Sequence, residues 1–108
     1  KPALVPLMRP ILEKLEVVEM GRVLIVNLKH GGHVTKHNDQ GTYADHYQRF
    51  HLVVTSNKWC SQTCGDQHQK FEVGDVWWFN HKKMHTADNV GTTDRVHIIF
   101  DCVTKYPL

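Results

Sequence analysis

The chain is built from short apolar runs cut by turn signals. Runs rich in Val, Ile, Leu, Phe and Trp cover 22–28, 47–55, 76–80 and 95–103, and Gly31-Gly32, Ser56-Asn57-Lys58, Gly65-Asp66, Gly74-Asp75 and Gly91 separate or border them. Runs this short and this rich in β-branched and aromatic residues read as strands, because a helix needs a longer stretch of 3.6-residue periodicity. The expected strands are 22–28, 33–38, 47–55, 59–63, 69–73, 76–80, 85–89 and 95–103, with a polar loop over 40–46. Many short strands at regular spacing imply an all-β sandwich or barrel. In the run 47–55, Phe50, Leu52 and Val54 share one face and Arg49, His51 and Val53 the other, since side chains alternate along a strand. The N-terminal stretch differs. Val5, Met8, Ile11, Leu12, Leu15 and Val18 fit one helical face, and Pro10 suits a first helical turn. This predicts a short helix over about 10–17, docked outside a sheet.

A chain of 108 residues is expected to form one domain over 1–108. No run of about 18 apolar residues is present, so no membrane span is expected. The net charge of +2 is spread along the chain and the pI is near 8.5, which gives no basic stripe for nucleic acid. Pro2, Pro6 and Pro10 break the first fifteen residues, unlike the apolar core of a secretory leader. Three cysteines, Cys60, Cys64 and Cys102, do not make a disulfide framework. A reducing, cytoplasmic location is the expectation.

Histidine is the anomaly, with nine copies in 108 residues. His37 and Asp39 spell His-x-Asp at the end of an expected strand, where both side chains point the same way. Two His and one carboxylate form a facial set that leaves coordination positions open and suits Fe(II). His85, which opens a later strand, is the candidate second His, and Arg95, ten positions on, opens the last strand.

With those residues in order, the chain resembles the aspartyl/asparaginyl β-hydroxylase family of Fe(II)- and 2-oxoglutarate-dependent dioxygenases. The matching pieces are Leu28 to Asp39, the Asp39-Gln40-Gly41-Thr42-Tyr43 loop, Arg49 to Leu52, Gly74 to Asn80, His85 to Asn89 and Asp94 to Asp101. The resemblance implies a double-stranded β-helix, a cupin-like jelly-roll barrel. It implies Fe(II) on His37, Asp39 and His85, and catalysis by those three with Arg95. It also implies 2-oxoglutarate held by Arg95 with His51 and Arg49, and O₂ as second cosubstrate. The implied reaction is hydroxylation of an unactivated C–H bond on a small molecule or on a peptide or protein side chain, one that carries a carboxylate if Arg49 faces it. Relatives of this kind carry further N-terminal elements, which the resemblance implies are lacking from 1–108. The alternatives are a cupin-type metalloprotein that does not use 2-oxoglutarate and a non-catalytic β-sandwich binding module.

Plainer readings apply elsewhere. His97 reads as a hydrogen-bonded core residue, Trp77 and Trp78 as core on opposite faces, and Tyr43 as a substrate-contact candidate. Cys60, Cys64 and His68 fit zinc poorly, because the second ligand pair is missing. The two cysteines are expected to face each other across a hairpin.

Overall fold

The computed structural model describes residues 3–7 and 13–106. Among the described residues, nine strands and one short helix run in the order β1 (Leu4–Pro6), β2 (Val17–Leu28), β3 (His33–His37), α1 (Thr42–His46), β4 (Gln48–Thr55), β5 (Cys60–Cys64), β6 (Gln67–Gln69), β7 (Val76–Phe79), β8 (His85–Asn89) and β9 (Arg95–Thr104). They form two antiparallel sheets: β1-β7-β4-β9-β2 and β3-β8-β5-β6. Among the described residues no hydrogen-bonded ladder joins one sheet to the other. The all-β class stands, but the expected closed double-stranded β-helix, the cupin-like jelly-roll barrel, is corrected to two separate sheets. The physical reason is that, among the described residues, each sheet ends in two unpaired edges, β1 and β2 in one and β3 and β6 in the other, whereas a barrel closes only by pairing its edges.

The core lies on both faces of the larger sheet. Between the sheets pack Leu4, Val53, Cys64, Phe71, Trp77 and Phe79. On the outer face, Phe50, Trp78 and Cys102 pack under Leu7 and Leu15 from the N-terminal segment. Trp77 and Trp78 thus serve opposite faces, as strand alternation requires. The helix expected over about 10–17 falls partly outside the described residues. What is described is a helical turn at 13–15 that ends at Glu16, whose φ of 48° is left-handed. From Val17 the chain enters β2, earlier than the expected start at Arg22. Pairing with β9 carries β2 back to Val17, with register shifts between Val17 and Glu19 and between Met20 and Val23.

Two further expectations change. The loop over 40–46 contains α1, whose Ala44 is buried and whose Ala44 carbonyl accepts a hydrogen bond from His81 Nε2 at 2.9 Å. So short a helix is held by tertiary contact rather than by its own propensity. Cys60 and Cys64 sit on one strand, β5, and are free and buried. They do not face each other, and His68 turns instead to the Thr63 hydroxyl at 3.0 Å.

Candidate metal centre

Three chain segments deliver the cluster. β3 ends at His37, Asp39 follows it, and β8 begins at His85. β3 pairs with β8 as His33↔Asp88 and Val34↔Ala87, then shifts register so that His37 faces His85. Without the shift, Lys36 would stand opposite His85. A bulge of this kind re-aims side chains at a strand end. Asp39 is tied back by its own backbone N–H, which donates to the His81 carbonyl at 2.9 Å. One ligand atom from each of His37, Asp39 and His85 lies within 4.8 Å of the other two.

The imidazoles are set for coordination. His37 Nδ1 donates to the Thr35 carbonyl at 2.7 Å, and His85 Nδ1 donates to the Lys83 carbonyl at 2.8 Å. With the proton held on Nδ1, the Nε2 lone pair of each ring is left for a metal ion. The rings lie 4.3 Å apart, edge to face. Burial holds the His85 ring below the ordinary imidazole range, which keeps it in the neutral, ligating form at pH 7. The donor set therefore fits one divalent cation. His81 is not among the residues whose ligand atoms cluster here, and its Nε2 donates to the Ala44 carbonyl instead.

Asp39 sits in a carboxylate network. Arg49 Nη1 donates to Asp39 Oδ2 at 2.6 Å, while Arg49 Nε and Nη2 donate to the two oxygens of Asp101 at 2.8 and 3.0 Å. Arg49 and Asp101 stand directly opposite on β4 and β9. The Tyr43 hydroxyl donates to Asp101 Oδ2 at 2.9 Å. Burial pushes the Asp101 carboxyl up, but the Arg49 bonds outweigh it and the net shift is downward. Sequence reasoning missed Asp101 as a site residue. Its signal was its place two strand positions from Ile99 on the face shared with Arg95 and His97.

Beside the triad, a cavity of about 190 Å³ opens between the sheets, walled by His37, His85, Arg49, His51, Gln62 and Arg95 among others. Arg95 is buried, and its Nη1 donates to Gln62 Oε1. Its Nε and the Nε2 of His97 are buried with no hydrogen-bond partner among the described residues. Burial pushes the Arg95 guanidinium down to about 10. His51 also borders this cavity, and its Nδ1 meets His97 Nδ1 at 3.0 Å. Burial, reinforced by the Arg95 charge, lowers His97 to about 3. Burial, then the neighbouring His97, lowers His51 well below the ordinary range. The structure thus brings His37, Asp39 and His85 together, sets Arg95 and His51 on the cavity wall, and turns Arg49 toward two carboxylates.

The dioxygenase expectation needs correction at this point. The resemblance that carried it implies a closed double-stranded β-helix around metal and 2-oxoglutarate, and the two sheets do not close into one. The Fe(II)- and 2-oxoglutarate-dependent hydroxylation of a C–H bond, of aspartyl/asparaginyl β-hydroxylase type, is therefore withdrawn. Among the described residues the geometry gathers a His/Asp/His cluster that could hold a metal ion for metal-dependent catalysis, and nothing in it is particular to 2-oxoglutarate or O₂. No helix among the described residues is long and apolar enough to cross a membrane.

A sequence profile described as aspartyl/asparaginyl beta-hydroxylase matches residues 1–105. The chain is also similar to the L-proline cis-4-hydroxylase of Rhizobium meliloti (strain 1021), with 26% identity over 84 residues. That alignment takes in 77% of this chain and 30% of the relative.

Proposed function

The chain belongs to the aspartyl/asparaginyl β-hydroxylase family, and from that premise we propose that it is a mononuclear metalloprotein on a two-sheet β scaffold that acts without 2-oxoglutarate. His37 Nε2, one oxygen of Asp39 and His85 Nε2 hold one divalent cation, and Fe(II) is the ion this donor set suits. When bound, the ion would supply Lewis acidity beside the cavity. The observation that carries the reading is the shared tautomer of His37 and His85, each fixed by a carbonyl two residues upstream.

The rest of the proposed site is the cavity wall. Arg95 is a buried cation with no carboxylate hydrogen-bonded to it among the described residues, and burying an uncompensated charge is costly. A bound anion supplies the missing counter-charge, and a guanidinium matches a carboxylate in shape and charge. The ligand class is therefore a small carboxylate-bearing molecule or side chain, with His51 and Arg49 on the same wall.

Anaerobic dialysis of the metal-free protein against Fe(II), with bound metal counted by elemental analysis, tests the centre. One ion per chain is expected, and none in His85→Ala. A folded wild-type protein that takes up no metal overturns the reading in favour of a binding module. Malonate titration followed by NMR tests the anion site: Arg95→Met should abolish the shifts that malonate causes at cavity residues.

A further inference from the structure

We propose that Arg49, locked by Asp101 and Tyr43, makes Asp39 a one-oxygen metal ligand and so keeps an additional coordination position open. The inference rests on the metal reading above and concerns this chain's own side chains. Arg49 Nη1 occupies Asp39 Oδ2 at 2.6 Å. The other oxygen, Oδ1, is the one that faces His37 Nε2, at 3.8 Å. A carboxylate with one oxygen held by a guanidinium offers the ion only the other. Freed of that hold, it can rotate and chelate with both, filling a position that a substrate or water would otherwise use.

The lock on Arg49 is what separates this from a chance ion pair. Asp101 is 2% exposed and takes two parallel hydrogen bonds from Arg49. Such a fork-to-fork pair fixes orientation as well as charge. Tyr43 adds a third bond to Asp101, and its hydroxyl in turn accepts the Arg22 backbone N–H at 2.9 Å. The chain of contacts runs from β2 through α1 and β9 to β4, and ends on the metal-facing carboxylate. Two carboxylates share one guanidinium, so the cluster stays net negative, which favours a cation next to Asp39. Asp101 and Tyr43 touch neither metal nor substrate in this scheme; they are positioning residues.

The test uses Co(II) and Mn(II) with wild type, Asp101→Asn, Arg49→Lys and Tyr43→Phe. Removing an outer-shell partner of a metal ligand typically weakens binding by about 10–100-fold. Asp101→Asn should therefore weaken Co(II) binding within about that range and shift its visible ligand-field bands. Arg49→Lys keeps the charge but loses the fork, and its Mn(II) complex should hold fewer exchangeable waters by proton relaxation than wild type. Tyr43→Phe removes one bond to Asp101 and nothing at the metal, so it should give a smaller weakening in a well-folded protein. It carries the test if Asp101→Asn does not fold. A purely structural network would lower the melting temperature of the metal-free variants and leave affinity, bands and water count unchanged; that result overturns the proposal alone. Failure of wild type to bind either ion overturns the metal reading together with it.

Discussion

Two pairs of histidines sit on facing sheets and show how one side chain is given two roles. In the pair His37 and His85, each Nδ1 is spent on a nearby backbone carbonyl and each Nε2 is left outward. In the pair His51 and His97, the two Nδ1 atoms are spent on each other at 3.0 Å, deep among Phe71 and Phe79. The first arrangement presents two lone pairs to one point. The second closes upon itself, requires that one ring donate and the other accept, and has no place for protons on both. The difference is decided by what Nδ1 meets. A local carbonyl frees the far nitrogen, whereas another buried ring makes a core contact.

The comparison can be broken at either pair. The largest effect is expected from His37→Ala or His85→Ala. Each should weaken Co(II) binding by more than the roughly 100-fold upper range seen for outer-shell losses, with little change in the melting curve of the metal-free protein for the exposed His37. Next comes His97→Ala, which leaves a cavity and an unsatisfied His51 nitrogen. It should cost about 2–4 kcal/mol in urea unfolding while metal affinity stays within about twofold, since additivity holds for sites without shared partners.

The acid response sharpens the same contrast. His97 is lowered to about 3 when folded, so below its ordinary pKa the unfolded chain binds a proton that the folded chain refuses. Stability from this group is complete above about pH 6.5 and falls by about 1.4 kcal/mol per pH unit as pH drops toward 3. His51 and His85, also lowered by burial, act in the same direction in the metal-free protein. Urea melts between pH 7 and pH 4 should therefore show a steep loss, flattened in His97→Phe. The smallest effect belongs to His33, which pairs with Asp88 at the surface. His33→Ala should change stability by less than about 0.5 kcal/mol and leave metal binding untouched.

Much of the strand pattern was legible because strands are declared locally. The β-branched runs, the glycine turns and the alternation in β4 and β9 rest on neighbours in sequence. The family match was legible too, from pieces spread over the chain. The closure of the sheets was not. Family resemblance led to a barrel, and only strand pairing among the described residues shows two sheets with free edges. The helix α1 was missed because its anchor, His81, lies far away in sequence. Cys60 and Cys64 were misplaced because both lie before the Gly65-Asp66 turn, on the single strand β5, and neither is on the strand across the hairpin.

By itself the sequence determined the all-β class, the alternating faces that set Arg49 beside His51 and Arg95 beside His97, and the chemistry of a His-x-Asp pair near the end of a strand. These follow from two-residue periodicity and from side-chain type, which no distant contact alters. The tertiary structure decided that His37 meets His85 rather than Lys36 doing so, because a one-residue shift in the β3–β8 register exists only once the two strands pair. It also decided that Arg49 turns to Asp39 and Asp101, because the partner that orients it lies across a ladder and far along the chain.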